Sequence, residues 1–231
     1  MLYKNVIVGE FVSRPNRFIA NVLINGKSET VHVKNTGRCR ELLVPGCRVW
    51  LEEGENPLRK TRYDLICVEK YRECLEPLII NMDSMAPNVV AFEYFSQKNM
   101  YYAFDKLQRE VRFGDSRIDL CGMIGDKKVF IEVKGVTLEK DGWALFPDAP
   151  TERGVKHLYE LCSAVEQGHD AMALFVIQMK GIRCFSPNDA MHSKFGEAVR
   201  HAKDCGVHIV AMDCIVTPDS MRIDEQVPVI L

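Results

Sequence analysis

The sequence predicts an α+β chain of two parts, in which a small β-barrel precedes an α/β domain with a mixed sheet. Two observations support this fold class. Short apolar segments separated by turn residues fill about the first 80 positions, whereas longer segments with alternating helical and strand periodicity fill the rest. We therefore place the first domain at residues 1–82 and the second at residues 83–231.

The predicted barrel depends on five short strand segments. They cover residues 18–24, 31–33, 42–44, 49–51 and 63–68. Asn25-Gly26, between the first two segments, is a strong signal for a two-residue hairpin, and Pro45-Gly46 marks a second turn. Five short strands favour an OB-like barrel, a fold that often binds single-stranded nucleic acids or oligosaccharides.

The second domain is predicted from helices and strands that follow one another. Its elements are a helix at 89–104, strands at 117–121 and 129–134, a helix at 154–167, a strand at 171–177, a helix at 193–205 and a strand at 207–212. Gly168 is well placed to end the second helix. The order helix, strand, strand, helix, strand, helix, strand is typical of an α/β domain with a mixed sheet.

Composition and charge set limits on the class of protein. Of the 231 residues, 47% are hydrophobic and 27% are charged, which is ordinary for a globular protein. The net charge of −2 still allows a local basic patch. The nine cysteines contain no Cys-x-x-Cys pair, so no zinc-ribbon or thioredoxin-type motif is present. No signal peptide or apolar membrane span is apparent, and we expect a cytoplasmic protein that does not interact with membranes.

An acidic motif lies in the predicted strand at 129–134. Side chains alternate along a strand, so Glu132 and Lys134 share one face while three apolar side chains share the other. An isolated Glu-x-Lys is more often an ordinary exposed strand. Asp119, however, lies on the preceding predicted strand, 13 residues before Glu132. A hairpin between these strands brings the two carboxyl groups together.

Two adjacent carboxylates predict a metal site. They repel each other and are costly to remove from water unless a cation joins them. Mg²⁺ (or Mn²⁺) prefers oxygen ligands, and it can polarise a phosphoryl oxygen and activate water. Lys134 can orient that water and stabilise charge on phosphorus. Asp119 and Glu132 are therefore the predicted metal ligands of a phosphodiesterase site, with Lys134 as a catalytic residue.

The spacing of these three residues is similar to that of the PD-(D/E)XK nuclease superfamily. Ile118 stands where these proteins usually have a proline before the first acid. The resemblance also implies a glutamate from the preceding helix, and Glu93 is the expected match as a fourth catalytic residue and third metal ligand. The alternative for Glu93 is a solvated position on the helix surface.

Ordered blocks along the whole chain resemble the sugar fermentation stimulation protein (SfsA) family. These blocks are residues 14–18, 35–38, 41–46, 59–63, 87–88, 114–119, 132–138, 146–149, 151–154 and 156–161. The resemblance implies an OB-like part followed by a PD-(D/E)XK nuclease-like domain, with DNA as the partner. Two functions follow: a nuclease, or a non-catalytic DNA-binding regulator of sugar (maltose) utilisation genes. Gly135 departs from the family, in which a serine is common.

Cationic side chains are the predicted contacts with DNA, whether single- or double-stranded. On barrel loops these are Arg14, Arg17, Arg38, Arg59, Lys60 and Arg62; in the second domain they are Arg117, Arg153 and His157. Cations along a groove can follow a phosphate backbone. The alternative is scattered solubilising charge, or a helix-surface pair for Arg153 and His157. For Asp148 and Gln178, the sequence leaves open whether they belong to the site or to local structure.

Overall fold

The computed structural model of the protein describes residues 1–231 apart from positions 36, 57, 74, 75 and 98. The first six strands form one sheet. They are β1 (Val6–Asn16), β2 (Ile19–Ile24), β3 (Lys27–Val33), β4 (Arg48–Glu53), β5 (Tyr63–Lys70) and β6 (Leu78–Asn81). The strands pair in the order β3-β2-β1-β4-β5-β6, and β3 also pairs with β5. Strands β1 to β5 therefore close into a five-stranded barrel, which confirms the predicted fold of this part.

Local sequence accounts for one predicted turn and corrects one predicted strand. Asn25 and Gly26 have φ of 50° and 77°, and they join β2 to β3 with the geometry that a two-residue hairpin requires. The predicted strand at 42–44 is wrong. The amides of Leu42 and Leu43 both donate to the carbonyl of Cys39, which makes this segment a turn. Both leucine side chains are buried, so the apolar run reflects core packing.

The second domain contains three helices and nine strands in the described part of the chain. They are α1 (Ala86–Phe95), β7 (Lys106–Phe113), β8 (Ser116–Ile124), β9 (Lys127–Val136), β10 (Leu138–Lys140), β11 (Trp143–Phe146), α2 (Glu152–Glu166), β12 (Asp170–Ile177), β13 (Cys184–Pro187), α3 (Asp189–Asp204), β14 (His208–Thr217) and β15 (Ser220–Val227). Within these described residues, no helix is both long and apolar enough to cross a bilayer.

A mixed six-stranded sheet forms the centre of the second domain, as predicted. Its order is β15-β14-β12-β9-β8-β7, with β9, β12 and β14 parallel and the remaining pairs antiparallel. Helix α1 packs on one face, where Val90 and Phe95 contact apolar side chains of β9 and β12. Helices α2 and α3 pack on the other face. Strand β9 is therefore enclosed by two neighbouring strands and by a helix on each face.

Helix α1 is shorter than the predicted helix at 89–104. It ends at Phe95, and the side chain of Asn99 then accepts hydrogen bonds from the amides of Tyr101 and Tyr102. The rings of Tyr102 and Phe104 pack near the ring of Phe95, with centroids 6.3 and 6.0 Å away. The apolar residues beyond 95 thus return over the helix instead of extending it.

The two domains share a buried polar junction. Gln178, directly after β12, is 2% exposed, and its Nε2 lies 2.9 Å from the carbonyl oxygen of Asn81 and 3.1 Å from that of Asp83. The same nitrogen lies 3.1 Å from Oδ1 of Asn81. Asn81 and Asp83 are at most 1% exposed, so Gln178 acts as a donor at a site enclosed by protein. The amide of Ala86 also donates to the Asp83 carbonyl, and the amide of Asp83 donates to Asn81 Oδ1.

Replacing this amide should destabilise the protein. We expect Gln178→Ala to lower the free energy of unfolding by about 1–3 kcal/mol, because the buried carbonyl oxygens of Asn81 and Asp83 lose the hydrogen bonds from Gln178 Nε2. Urea denaturation followed by tryptophan fluorescence measures the effect. Gln108→Ala, on the exposed strand β7, is the matched control and should change stability by less than about 0.5 kcal/mol. Equal effects of the two substitutions would contradict this account of the junction.

Candidate metal and nucleic-acid site

The three predicted acidic-site residues come together in the hairpin of β8 and β9. Leu120 of β8 lies opposite Ile131 of β9, so Asp119 and Glu132 are the next residues along the two strands. Lys134 lies two residues further along β9, and its Nζ donates a hydrogen bond of 2.5 Å to Glu132 Oε1. The structure therefore places an ammonium group directly beside the acids.

Asp119 is held between the first turn of α1 and β9. Its Oδ2 accepts a hydrogen bond of 2.8 Å from the amide of Val133, and its Oδ1 accepts one of 3.0 Å from Asn88 Nδ2. Burial and the negative charge of Glu132 raise the pKa of Asp119 above its ordinary value, although these hydrogen bonds and Lys134 oppose that rise. The raised pKa shows that negative charge at this position is only partly compensated.

Glu132 is the most deeply buried group of the site, at 2% exposure. Burial alone would raise the pKa of its carboxyl, but hydrogen bonds from His157 and Lys134 hold that pKa below its ordinary value. Both partners approach Oε1. Within the described residues, Oε2 is buried and has no hydrogen-bond partner. An orphaned carboxylate oxygen beside a second carboxylate is the kind of donor that a cation would bind.

His157 belongs to this acidic cluster. It lies on α2 at 4% exposure, and its Nδ1 is hydrogen-bonded to Glu132. Arg153, one helical turn earlier, donates from Nε to His157 Nε2 at 3.3 Å. Arginine can only donate, so Nε2 acts as the acceptor and Nδ1 carries the proton directed at Glu132. His157 was predicted to contact DNA, but in the structure it orients the glutamate, and only the exposed Arg153 faces solvent.

The predicted role of Glu93 is not supported by its position. Its carboxylate accepts a 2.7 Å hydrogen bond from the α-amino group of Met1, and in the described chain it makes no hydrogen bond or ion pair with the acidic cluster. Asn88 precedes it by five residues, which turns the two side chains about 140° apart on the helix. Sequence reasoning missed Asn88, although it is a polar residue in an otherwise apolar first turn.

A cleft of about 320 Å³ lies between the barrel and the second domain, and it reaches Gly135, the residue after Lys134. Its lining residues are Asn35, Gly37, Ser84, Gly135, Thr137, Leu138, Leu145, Phe146, Pro147, Asp148, Ala149, Pro150, Thr151 and Gln178. A β-carbon on Gly135 would lie 2.5 Å from Oε1 of Gln178, and one on Gly37 would lie 2.6 Å from Oδ2 of Asp148. These two glycines let the cleft walls approach each other closely. Asp148 and Gln178 thus both line this cleft.

Two of the predicted DNA-contacting arginines have structural partners instead. The guanidinium of Arg14 donates to the carbonyl oxygens of Arg17, Asn35, Gly37 and Arg38 at 2.7 to 2.9 Å. It therefore ties the β1–β2 turn to the loop after β3. Arg59 forms a two-pronged ion pair with Asp64 on β5, with contacts of 2.9 and 2.5 Å. Neither guanidinium is free to follow a phosphate backbone.

The remaining predicted cations of the barrel are exposed. Arg17, Arg38 and Lys60 project into solvent, and none of them forms an ion pair with another described residue. Arg62 is also exposed, but it pairs with Glu53 at 2.8 Å. In the second domain, exposed Arg117 pairs with Glu110 at 3.6 Å. The exposed cations of this set thus lie on three connections of the barrel: Arg17 between β1 and β2, Arg38 between β3 and β4, and Lys60 and Arg62 between β4 and β5.

The fold and the site together define a two-domain protein, in which an OB barrel precedes an α/β domain with a buried acidic cluster. Comparison with family models identifies the family to which this class of protein belongs. Residues 12–75 match the model of the SfsA N-terminal OB domain, and residues 85–220 match that of the sugar fermentation stimulation protein RE domain. The chain belongs to the sugar fermentation stimulation protein (SfsA) family.

Relatives match over the full length of the chain. A sugar fermentation stimulation protein homolog from Desulfitobacterium hafniense is 52% identical, over 99% of this chain and 98% of its own. A homolog from Clostridium beijerinckii is 48% identical over 100% of both chains. The solved structure of SfsA from Pyrococcus furiosus in complex with Ca²⁺ is 26% identical, with a TM-score of 0.85 over 100% of this chain and 98% of that one.

The electrostatics of the site predict how stability depends on Lys134. Lys134→Met should lower the free energy of unfolding by about 1–3 kcal/mol at pH 7 in EDTA, because two buried carboxylates lose their ammonium neighbour. Asp119 already has a raised pKa, so its folded state takes up a proton more readily than its unfolded state. The loss of unfolding free energy caused by Lys134→Met should therefore become smaller as the pH falls from 7 to 5.

The matched control for this experiment is Lys156→Met on α2. Lys156 is exposed and forms only a surface pair of 3.7 Å with Glu160, and such pairs contribute little to stability. Its effect should stay below about 1 kcal/mol at both pH values. A contrary result is that the stability lost in Lys134→Met stays constant or grows on acidification. That result would show that this lysine does not compensate the charge of the acids.

Proposed function

We propose that the protein binds DNA and hydrolyses phosphodiester bonds at the Asp119–Glu132–Lys134 cluster in a Mg²⁺-dependent reaction. One observation carries the proposal: Glu132 Oε2 is buried without a hydrogen-bond partner among the described residues, beside a second carboxylate whose pKa is raised. A protein built only for stability would satisfy that oxygen. A bound cation satisfies it and relieves the repulsion between the acids.

The donor set fits a hard divalent cation. Asp119 and Glu132 offer carboxylate oxygens, the ligands that Mg²⁺ and Ca²⁺ prefer. The relative from Pyrococcus furiosus was solved in complex with Ca²⁺, which supports a cation site in this family. When bound, Mg²⁺ would supply positive charge to a phosphoryl oxygen and make the attacking water more acidic. Mn²⁺ prefers similar ligands and is expected to substitute.

The protein's own residues have separate roles in this proposal. Asp119 and Glu132 hold the cation, and Lys134 orients water and stabilises the charge that develops on phosphorus. His157 keeps Glu132 in one orientation through its Nδ1 proton. Arg153, exposed at the N-terminal turn of α2 and linked to the site through His157, would bind a neighbouring phosphate. The N-terminus of a helix adds a favourable potential for an anion there.

In this proposal, DNA reaches the acids across the loops that carry Arg17 and Arg38. Arg14 ties the loop that carries Arg17 to the loop that carries Arg38. Asn35 and Gly37, on the second of these loops, line the cleft that continues to Gly135 beside Lys134. A strand held by Arg17 and Arg38 would therefore enter the cleft that reaches Gly135, the residue after Lys134. OB barrels commonly bind single strands in this manner.

Substitutions in the cluster should abolish cleavage. We expect Asp119→Asn and Lys134→Met each to lower the rate of DNA cleavage by roughly 100-fold or more, as loss of a group that stabilises the transition state does. The assay incubates purified protein with linear, nicked and single-stranded DNA, and with RNA, in Mg²⁺, Mn²⁺ or EDTA. Asp126→Asn and Lys156→Met alter exposed residues outside the cluster and should keep the full rate.

Two outcomes would count against the nuclease. Cleavage that persists in both Asp119→Asn and Lys134→Met must come from another site or from a contaminant. Tight DNA binding without cleavage in every metal condition would favour the non-catalytic regulator.

The basic-loop surface has its own test. Replacing Arg17, Arg38 and Lys60 together with alanine should weaken DNA binding, and it should lower the slope of log K against log[salt] by about 2–3, at about 0.7–0.9 per phosphate contact. Fluorescence anisotropy at several salt concentrations measures both quantities. The matched control replaces Lys106, Lys127 and Lys128, three exposed lysines at the far end of the β7–β8–β9 sheet. Equal effects of the two triple variants would show that DNA lies on another surface.

A further inference from the structure

A second group of metal-ligating side chains lies between α2 and α3. Cys162 of α2, His201 of α3 and Cys205 at the end of α3 each direct a ligand atom toward the other two. These three atoms all lie within 4.8 Å of one another, and Cys205 Sγ is 3.4 Å from His201 Nε2. Cys162 follows His157 by five residues, about 7.5 Å along the helix. The group is therefore separate from the acidic cluster.

The local sequence explains why these three side chains meet. His201 and Cys205 are four residues apart on α3, so they lie on the same face of that helix. Helix α2 packs against this face and presents Cys162, which is 4% exposed. Their spacing suits a tetrahedral ion. With metal–sulfur bonds of about 2.3 Å and metal–nitrogen bonds of about 2.0–2.1 Å, neighbouring ligand atoms lie roughly 3.5–3.8 Å apart.

Charge in this region favours a cation. His201 lies in the last turn of α3 and Cys205 caps that helix, while Cys162 lies just before the last turn of α2. The carboxyl ends of helices carry partial negative charge. Burial, together with the neighbouring Cys205, raises the pKa of the Cys162 thiol to about 12. A thiol with so high a pKa is a poor nucleophile for disulfide exchange. A metal ion, in contrast, overcomes the raised pKa by bonding to the thiolate directly.

We propose that Cys162, His201 and Cys205 bind one Zn²⁺ ion, which joins α2 to α3. Two sulfurs and one imidazole are the ligands that zinc prefers, and the fourth position is open to water or to the carboxylate of Glu166, whose charge acts on Cys162. Binding releases the two thiol protons to solvent, and neither cysteine changes its oxidation state. This site is independent of the proposed nuclease activity.

Cobalt provides the direct test. Untagged full-length protein, reduced with a phosphine and freed of metal by a chelator, is titrated with Co²⁺ and then with Zn²⁺. We expect one equivalent of Co²⁺ to produce a thiolate-to-cobalt charge-transfer band, which Zn²⁺ removes by displacement. Only sulfur ligands give this band, so Co²⁺ bound by the acids Asp119 and Glu132 does not contribute to it.

Single substitutions assign the ligands. Cys162→Ser, Cys205→Ser and His201→Ala should each weaken Zn²⁺ binding at least about 100-fold, since loss of a ligand costs more than loss of its outer-shell partner. Cys47→Ser and His208→Ala are the matched controls, because these residues have similar exposure and lie outside the group. Both controls and Asp119→Asn should keep the band and the affinity.

The variant His201→Ala separates loss of zinc binding from a failure to fold, because His201 is exposed. His201 lies on the surface, so His201→Ala should fold, and Zn²⁺ should raise the melting temperature of the wild type but not of this variant. Absence of the charge-transfer band from the wild type would overturn the proposal. An unchanged affinity in Cys162→Ser, or a Cys162–Cys205 disulfide that forms completely in air in place of metal binding, would also overturn it.

Discussion

Two carboxyl groups, those of Asp119 and Glu132, lie side by side where β8 and β9 run through the interior of the second domain. Removing an ionised carboxylate from water costs several kcal/mol unless opposite charge and hydrogen bonds compensate it. Lys134 and His157 provide such compensation, but both act on the same oxygen of Glu132. The enclosure of β9 by two strands and two helical layers excludes water from the other oxygen. Among the described residues, the compensation therefore reaches one oxygen of Glu132 and leaves the other without a partner.

A second acidic cluster in the same domain shows that acidity alone does not create this demand. Asp213, Asp224 and Glu225 surround Lys180, whose Nζ lies 2.7 to 3.1 Å from an oxygen of each of them. The ammonium of Lys180 thus lies at the centre of three carboxylates, and all three share it. The ammonium of Lys134, in contrast, contacts only one oxygen of Glu132 within the described chain. The difference between a structural ion-pair network and a candidate catalytic site lies in this placement of the cation.

Sequence patterns predicted the strands of the site but not the helix residues that face it. Alternation along β9 placed Glu132 and Lys134 on one face, because the period of a strand is two residues wherever it is packed. Helix α1, in contrast, is apolar around most of its circumference, so no polar stripe indicated whether Asn88 or Glu93 faces the acids. The spacing of Arg153 and His157 correctly predicted a pair. The spacing did not predict that His157 contacts Glu132, because this contact depends on the angle at which α2 crosses the sheet.

Sequence patterns did not predict strands β1 and β7, and they grouped Arg14 with the exposed Arg17 as a DNA contact. Strand β1 contains two register irregularities, which interrupt the alternation that would have revealed it. Strand β7 is an edge strand in which charged side chains alternate with partly buried apolar ones, so its apolar signal is weak. Arg14 is indistinguishable in sequence from the exposed Arg17. Only the fold brings four carbonyl oxygens around Arg14, and this hydrogen bonding, not its charge, defines its role.

Ligand chemistry offers a way in which one domain can keep two kinds of cation apart. Both ring nitrogens of His157 are engaged, one by Glu132 and the other by Arg153, so the acidic cluster offers only oxygen atoms to an ion. Zinc binds more tightly than magnesium to nitrogen and sulfur, and its advantage is smallest at sites made of carboxylates. The sulfur and nitrogen donors of the proposed zinc site lie instead around Cys162, further along α2. The oxygen donors of the acidic cluster thus suit the proposed Mg²⁺, and the donors around Cys162 suit the proposed Zn²⁺.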